Sequence, residues 1–308
     1  MTRRELKNVA ASVHARLLNK AREEGRRFDE LLQYYAMERF LFRLSQSPHV
    51  ERFVLKGALM LRTHAIEQPR LTRDIDLLGY GPSRIENLEQ IVRDCLRLDV
   101  PDDGLVFDPE SVEGSEISRE AEYQGVRIRF TGHLGNARTV MQLDVGFGDA
   151  VVPGPIWIDY PELLDFGTPR LLGYTLESAI AEKYQAMVYL GMVNSRMKDF
   201  YDLWFLARGF SFDGERLCQA IKATFSRRQT DLPADTPVAL TSAFADDPAK
   251  QRQWEAFLRK TRIDAEELTL PGVIEQVEAF LMPPIIALVE RRSRAMRWPP
   301  GGPWQSSP

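Results

Sequence analysis

The hydrophobic residues of this chain change period part-way along it, and one kind of regular layer cannot accommodate both patterns. Up to about residue 147, apolar residues take every second position in three stretches, 72–78, 126–130 and 140–147. That is the spacing of strands with one covered face. From Leu176 onward they recur at three and four, near 176–191, 195–208, 213–226, 251–261 and 272–290, so helices follow. The prediction is an α+β chain whose 308 residues suffice for two cores. Residues 1–165 form a sheet-bearing core, 166–292 a helical lobe, and 293–308, with the run Pro299-Pro300-Gly301-Gly302-Pro303, a flexible tail.

Within the first part, Val9, Val13, Leu17 and Ala21 mark one amphipathic helix and the stretch 29–44 a second. A short strand, Phe53-Val54-Leu55, then runs through Lys56-Gly57-Ala58 into the helical pattern Leu59-Met60-Leu61. Strand, glycine turn and helix in that order suit a phosphate-binding connection. Ser83-Arg84-Ile85-Glu86 reads as a capping box opening a helix to about Leu98. The Pro-containing stretch 230–247 reads as a loop.

Composition removes several function classes. Apolar runs such as Ile285-Ile286-Ala287-Leu288-Val289 fall short of the roughly 20 residues that cross a bilayer, and Met1-Thr2-Arg3-Arg4 lacks the apolar core of a signal peptide. No membrane association is expected, and a cytoplasmic location is. Cys95 and Cys218 offer neither a disulfide framework nor zinc spacing, and His14, His49, His64 and His133 are scattered. Charge is distributed unevenly: residues 1–27 carry eight Lys or Arg against three Glu, and 290–297 four Arg against Glu290. With a total of −4, ends at +5 and +3 leave −12 between them. Basic ends around an acidic centre suit a polyanion at the rim and carboxylates at a metal site, although solvated helix faces give the same totals.

The candidate chemistry starts at Asp74-Ile75-Asp76-Leu77. On a strand the two acids share a face about 7 Å apart at their α-carbons while Ile75 and Leu77 face the core. Adjacent like charges call for a cation, and hard oxygen ligands suit Mg²⁺. In 140–147 the apolar Met141, Leu143, Val145 and Phe147 leave Asp144 on the opposite face. If the polar faces coincide, three carboxylates hold two cations, as in-line nucleotidyl transfer requires. Asp-x-Asp by itself also arises on any solvated strand and in glycosyltransferase metal motifs. Lys183 interrupts the apolar stripe of its helix; it either meets a carboxylate structurally, snorkels outward, or reaches a triphosphate. Asp199 and Asp202, three apart on the next helix, form with Arg196 and Lys198 a polar end that can orient Lys183 or a nucleotide. Acids in a first turn also simply suit the helix dipole.

Taken jointly, Val54-Leu55-Lys56-Gly57-Ala58, Arg70-x-Thr72-x-Asp74-Ile75-Asp76-Leu77, Leu143-Asp144, Ala181-Glu182-Lys183 and Arg196-x-Lys198-Asp199-Phe200-Tyr201-Asp202-Leu203 resemble the AbiEii/AbiGii-type nucleotidyltransferase toxins. That group includes the mycobacterial MenT toxins. The resemblance extends over about residues 30–210, and Phe280-Leu281-x-Pro283 is similar to the family's C-terminal helical segment. It implies a polymerase-β-like nucleotidyltransferase core, a mixed sheet with flanking helices, followed by a helical C-terminal lobe. It further implies an NTP donor, two Mg²⁺ ions, an RNA acceptor, commonly the tRNA 3′ end, and a cognate antitoxin. Carried across, Asp74 and Asp76 are metal ligands with Asp144 as third carboxylate. Lys183 contacts the nucleotide, and Asp199 or Asp202 is the fourth-motif acid. Ala58 departs from the superfamily's serine, so donor phosphates would rely on backbone N–H groups and Lys56; Thr72, on the strand face of Asp74, either supplies the missing hydroxyl or is an ordinary strand threonine. A protein hydroxyl or a small molecule as acceptor, or a binding module without catalysis, are the alternatives.

Overall fold

The computed structural model describes residues 8–64, 71–117, 125–263, 268–290 and 295–306. They divide into two compact units, the first holding the described residues up to His64, Thr72–Gly148 and Ile156–Gly173, the second Leu71, Asp149–Pro155 and the chain from Tyr174 onward.

The first unit opens with α1 (Val9–Glu23), capped by Asn8, whose side chain accepts from the Ala11 N–H at 2.9 Å. Val13, Leu17 and Ala21 face inward at the expected four-residue spacing. Helix α2 (Phe28–Gln46) is buried over most of its surface. It is followed by β1 (Phe53–Lys56), the short α3 (Gly57–Leu61), β2 (Asp74–Gly79), α4 (Ile85–Leu96), β3 (Leu105–Ile117), β4 (Gly125–Leu134), β5 (Ala137–Phe147), β6 (Ile156–Asp159) and β7 (Arg170–Gly173).

These strands form a seven-stranded sheet in the order β3-β4-β5-β2-β1-β7-β6. Pairings β2–β5 and β1–β7 are parallel and the others antiparallel, so the sheet is mixed, as expected. One face is apolar: Leu77, Ile128, Leu143 and Val145 meet Phe40 and Leu44 of α2 and Leu88, Ile91 and Cys95 of α4 around a small internal cavity. Under α2, buried Arg39 and Arg43 donate to Asp103 at 3.0 and 2.8 Å. The neighbouring Glu38, fully buried, accepts from the Leu163 N–H at 2.6 Å.

The second unit contains α5 (Leu176–Leu190), α6 (Met197–Gly209), β8 (Phe212–Asp213), α7 (Gly214–Arg227), α8 (Ser242–Ala245), α9 (Pro248–Thr261), α10 (Leu270–Val289), β9 (Met296–Trp298) and β10 (Gln305–Ser306). Thr175 caps α5 by accepting from the Ser178 N–H. By length and composition α10 is apolar enough to cross a membrane, which the short runs read from sequence did not anticipate. Its residues Val273, Ile274, Val277, Phe280, Leu281 and Ile285 are buried within the protein, the pattern of a core helix.

Four expectations change. The unit boundary falls after Gly173 rather than at 165, because β7 adds to the sheet beside β1. The stretch expected as a flexible tail is, over 295–306, part of the second unit. Here β9 pairs with β8 and β10, the Trp298 indole donates to the Ala207 carbonyl at 2.6 Å and the Trp304 indole to the Phe280 carbonyl at 2.7 Å. Two aromatic anchors outweigh a Pro- and Gly-rich composition. The Ser83 capping box does not form, since α4 starts at Ile85 with Arg84 as N-cap and no side-chain cap bond. The 230–247 stretch carries α8 and a preceding 3-10 turn, Val238–Leu240.

Candidate active site

The polar face of the first unit's sheet is organised by register. Lys56 on β1 opposes Asp76 on β2, Asp76 aligns with Asp144 on β5, and Asp144 opposes Arg127 on β4. Directly paired residues of neighbouring strands project to the same side. Cation, acid, acid and cation therefore stand in one row across four strands. A second row, two residues along, holds Asp74, Gln142 and Arg129.

Within the first row, the Arg127 guanidinium holds both oxygens of Asp144, Nε to Oδ1 at 2.8 Å and Nη2 to Oδ2 at 2.7 Å. Asp144 is buried, its side chain 7% exposed against 30% for Arg127. The hydrogen bond that Arg127 donates to Asp144 raises its pKa, and the charges of Asp144, Asp74 and Asp76 add to the effect against partial burial. In the second row, among the described residues, Arg129 donates to the neutral Gln142 Oε1, at 3.3 and 3.4 Å.

Gly57, directly after β1, has φ +68°, a conformation few side chains adopt, and a Cβ there would overlap the Asp76 carboxylate. The glycine thus lets the acid lie against the strand-to-helix turn. Beyond it α3 runs only from Gly57 to Leu61 before a 3-10 turn, so the expected phosphate connection has little helix behind it. Ala58 is buried in the core. Thr72 precedes β2; its N–H donates to the Tyr34 hydroxyl at 3.1 Å and its own hydroxyl lies 3.4–3.5 Å from the Asp74 backbone.

In the second unit Lys183 of α5 donates to Asp199 Oδ1 at 3.1 Å and Asp202 Oδ2 at 2.7 Å. Arg196 Nε adds a bond to Asp199 Oδ2 at 2.6 Å. Both acids are fully buried, and the Lys183 side chain is 12% exposed. Burial alone would raise the Asp199 pKa, but the charges of Lys183, Arg196 and Lys198 outweigh it and hold the carboxyl well below the usual range. Lys198 itself is exposed. One residue before Lys183, Glu182 accepts from the Tyr174 hydroxyl at 2.8 Å and faces Arg228 at 3.5 Å, fixing the helix from its other side.

The expected residues thus gather in two places. Lys56, Gly57, Asp74, Asp76 and Asp144 share the sheet face in the first unit; Lys183, Arg196, Asp199 and Asp202 share a cluster in the second. Arg127 was not anticipated. Its signal lay in the two-residue turn Gly135-Asn136, with Gly135 at φ +56°, which fixes the hairpin register and sets Arg127 against Asp144. Among the described residues no three His, Cys, Asp or Glu side chains are grouped to hold a metal ion. The donors fit a hard divalent cation by chemistry, carboxylate oxygens on a rigid strand. Around Asp144, however, the positive charge is supplied by Arg127.

Of the basic residues expected to face a polyanion, Arg16 pairs with Asp165, Lys20 with Glu24, Arg26 with Glu30, and Arg27 with Asp29. Lys7, Arg291, Arg292 and Arg294 lie outside the described residues.

Comparison with known proteins gives one family: the model of the nucleotidyl transferase AbiEii toxin, a type IV toxin–antitoxin system, matches residues 39–282. No curated protein sequence matches. Among solved structures, a candidate nucleotidyltransferase from H. pylori covers 86% of this chain and 97% of its own, at 15% identity and TM-score 0.48. JHP933 from Helicobacter pylori covers 85% and 94%, at 14% identity and TM-score 0.48.

Proposed function

Because the chain belongs to the AbiEii nucleotidyl transferase toxin family, we propose that it transfers a nucleoside monophosphate from an NTP to RNA, at the 3′ end of tRNA. It is a nucleotidyltransferase toxin, so an NTP is its donor and a cognate antitoxin its partner. The acceptor hydroxyl oxygen attacks the α-phosphorus, the bond to the β-phosphate oxygen breaks, and pyrophosphate leaves.

The observation that supports this site is the row Lys56, Asp76, Asp144 and Arg127 on one face, with Asp74 beside it. Asp74, Asp76 and Asp144 are assigned to hold Mg²⁺, two ions in the full site. When bound, these lower the pKa of the attacking hydroxyl and screen the phosphates. Lys56 sets a positive charge directly opposite Asp76, where donor phosphates need one. Gly57 and Ala58 offer backbone N–H groups. Thr72, just before β2, sets a hydroxyl 3.4–3.5 Å from the Asp74 backbone. Lys183 is assigned to the nucleotide, oriented by Asp199 and Asp202, with Arg196 and Lys198 contributing charge. RNA as acceptor rests on the resemblance to tRNA-modifying toxins and on the basic excess of residues 1–27.

The test is incubation with α-labelled NTPs, Mg²⁺ and either total tRNA or a protein extract. Label is expected in tRNA 3′ ends, and Asp76→Asn is expected to abolish it without changing the melting temperature. Label in the protein fraction would replace RNA by a protein hydroxyl. Nucleotide binding without labelled product in either fraction would overturn catalysis altogether.

A further inference from the structure

Arg127 has no role in the reading above, yet it makes the most specific contact on the acidic face. A guanidinium fork on both oxygens of a carboxylate is a strong, directional pair. It occupies the oxygens that a cation would use, and its charge opposes a second cation nearby. The pair is also asymmetric. Asp144 is nearly enclosed, whereas the Arg127 side chain is 30% exposed, so the arginine can change partner while the acid cannot move far. Asp74 and Asp76 already contribute to the field at Arg127. A guanidinium released from Asp144 onto this face is a ready fork for phosphate oxygens.

We propose that Arg127 is a positioning residue that exchanges partners: it holds Asp144 while the site is empty and turns to the donor's polyphosphate when Asp144 takes a divalent cation. The proposal rests on the assignment of Asp144 to the metal site. Arg127 then couples the two ligands, disfavouring a cation alone and favouring a cation with polyphosphate.

Mn²⁺ binding to the nucleotide-free full chain, followed by electron paramagnetic resonance, tests it. Arg127→Gln is expected to tighten Mn²⁺ binding roughly tenfold, the scale of one charge-assisted hydrogen-bonded pair. The same variant is expected to weaken binding of inorganic tripolyphosphate at saturating Mn²⁺ by a similar factor. Opposite signs for the two ligands are what a merely structural arginine would not give. Arg129→Gln removes the same charge from the same strand face, where among the described residues the guanidinium donates to Gln142, and should tighten Mn²⁺ by less than about threefold. In an Asp144→Asn background, Arg127→Gln should no longer tighten Mn²⁺. Arg127→Lys keeps the charge and loses the fork; it should lie between wild type and Arg127→Gln, and it serves if the glutamine variant does not fold. Equal tightening by Arg129→Gln would reduce the effect to net charge and overturn the exchange. So would Mn²⁺ binding that depends on Asp76 yet is unchanged or weakened in Arg127→Gln. A folded wild-type protein that binds no Mn²⁺ would overturn the metal-site assignment, and the exchange with it.

Discussion

Lys183→Met separates what Lys183 does for the second unit from what it does for a nucleotide. In the wild type its ammonium is shared by Asp199 and Asp202, whose side chains are 1% and 0% exposed. Methionine keeps the aliphatic stem and removes the charge. Asp199 retains the bond from Arg196 at 2.6 Å, but Asp202 loses its ammonium in a site closed to water. Removing one partner of a buried pair costs about 3–5 kcal/mol. For a unit of this size that lowers the melting temperature by roughly 10 °C. Adding Asp202→Asn replaces the charge that has lost its ammonium with a neutral amide, and the double variant should regain most of the loss. Thermal unfolding and label transfer to tRNA, measured on the wild type, both single variants and the double, give the cycle. The expected outcome is a double variant that is stable and inactive. A double variant that regained both stability and transfer would make Lys183 a structural ion-pair residue only. An unchanged melting temperature for Lys183→Met would refute the account of the buried pair itself.

Burial, opposed by the Leu163 N–H and by Arg39, pushes the Glu38 carboxyl up from 4.5 to about 7. Between those values the folded protein keeps a proton that the unfolded chain releases, so this contribution to stability is complete below pH 4.5 and is lost as pH rises to about 7. The loss approaches roughly 3 kcal/mol; urea unfolding should show the wild type gaining on Glu38→Gln by that order on going from pH 8 to pH 5, and a pH-independent difference would contradict it. Gly57→Ala forces a Cβ toward the Asp76 carboxylate at a left-handed position, so transfer should be lost with a stability cost of about 1–2 kcal/mol. Activity retained in that variant would remove Asp76 from the site. Trp298→Ala deletes a buried indole and its bond to Ala207, and about 3–5 kcal/mol of destabilisation is expected from denaturant unfolding; a change under about 1 kcal/mol would mean the C-terminal strands are dispensable.

Local patterns made the helices of the second unit legible. The segments read at 176–191 and 272–290 correspond to α5 and α10, since apolar residues there recur with little interruption. Other elements lacked such a pattern. β3 carries Pro109 and a shift of register between Asp108 and Glu113, so its alternation breaks in the middle and no period shows. β6 and β7 are four residues each, too short for periodicity to emerge among flanking prolines. The strands that tie down residues 295–306 are shorter still, and their order comes from Trp298 and Trp304 docking on α6 and α10, a tertiary effect that composition hides.

The same distinction governs the candidate site. Which acids face away from the core follows from alternation alone, and Asp74, Asp76 and Asp144 obey it. Which acid lies beside which does not, because β2 and β5 are parallel neighbours joined through α4, β3 and β4, and nothing local sets their relative height. The structure aligns Asp76 with Asp144; a slip by one residue would have turned Asp144 into the core. The β4–β5 hairpin is different, since its two-residue turn fixes every partner by counting outward from Gly135 and Asn136, and Arg127 falls opposite Asp144. Sequence therefore specifies the acid–guanidinium pair more tightly than it specifies the acid–acid pair. That order of constraint makes the Arg127–Asp144 pair a unit built into one hairpin, brought as a whole to the edge of Asp76, and it is why alternation alone, which sorts faces but not partners, left Arg127 unnoticed.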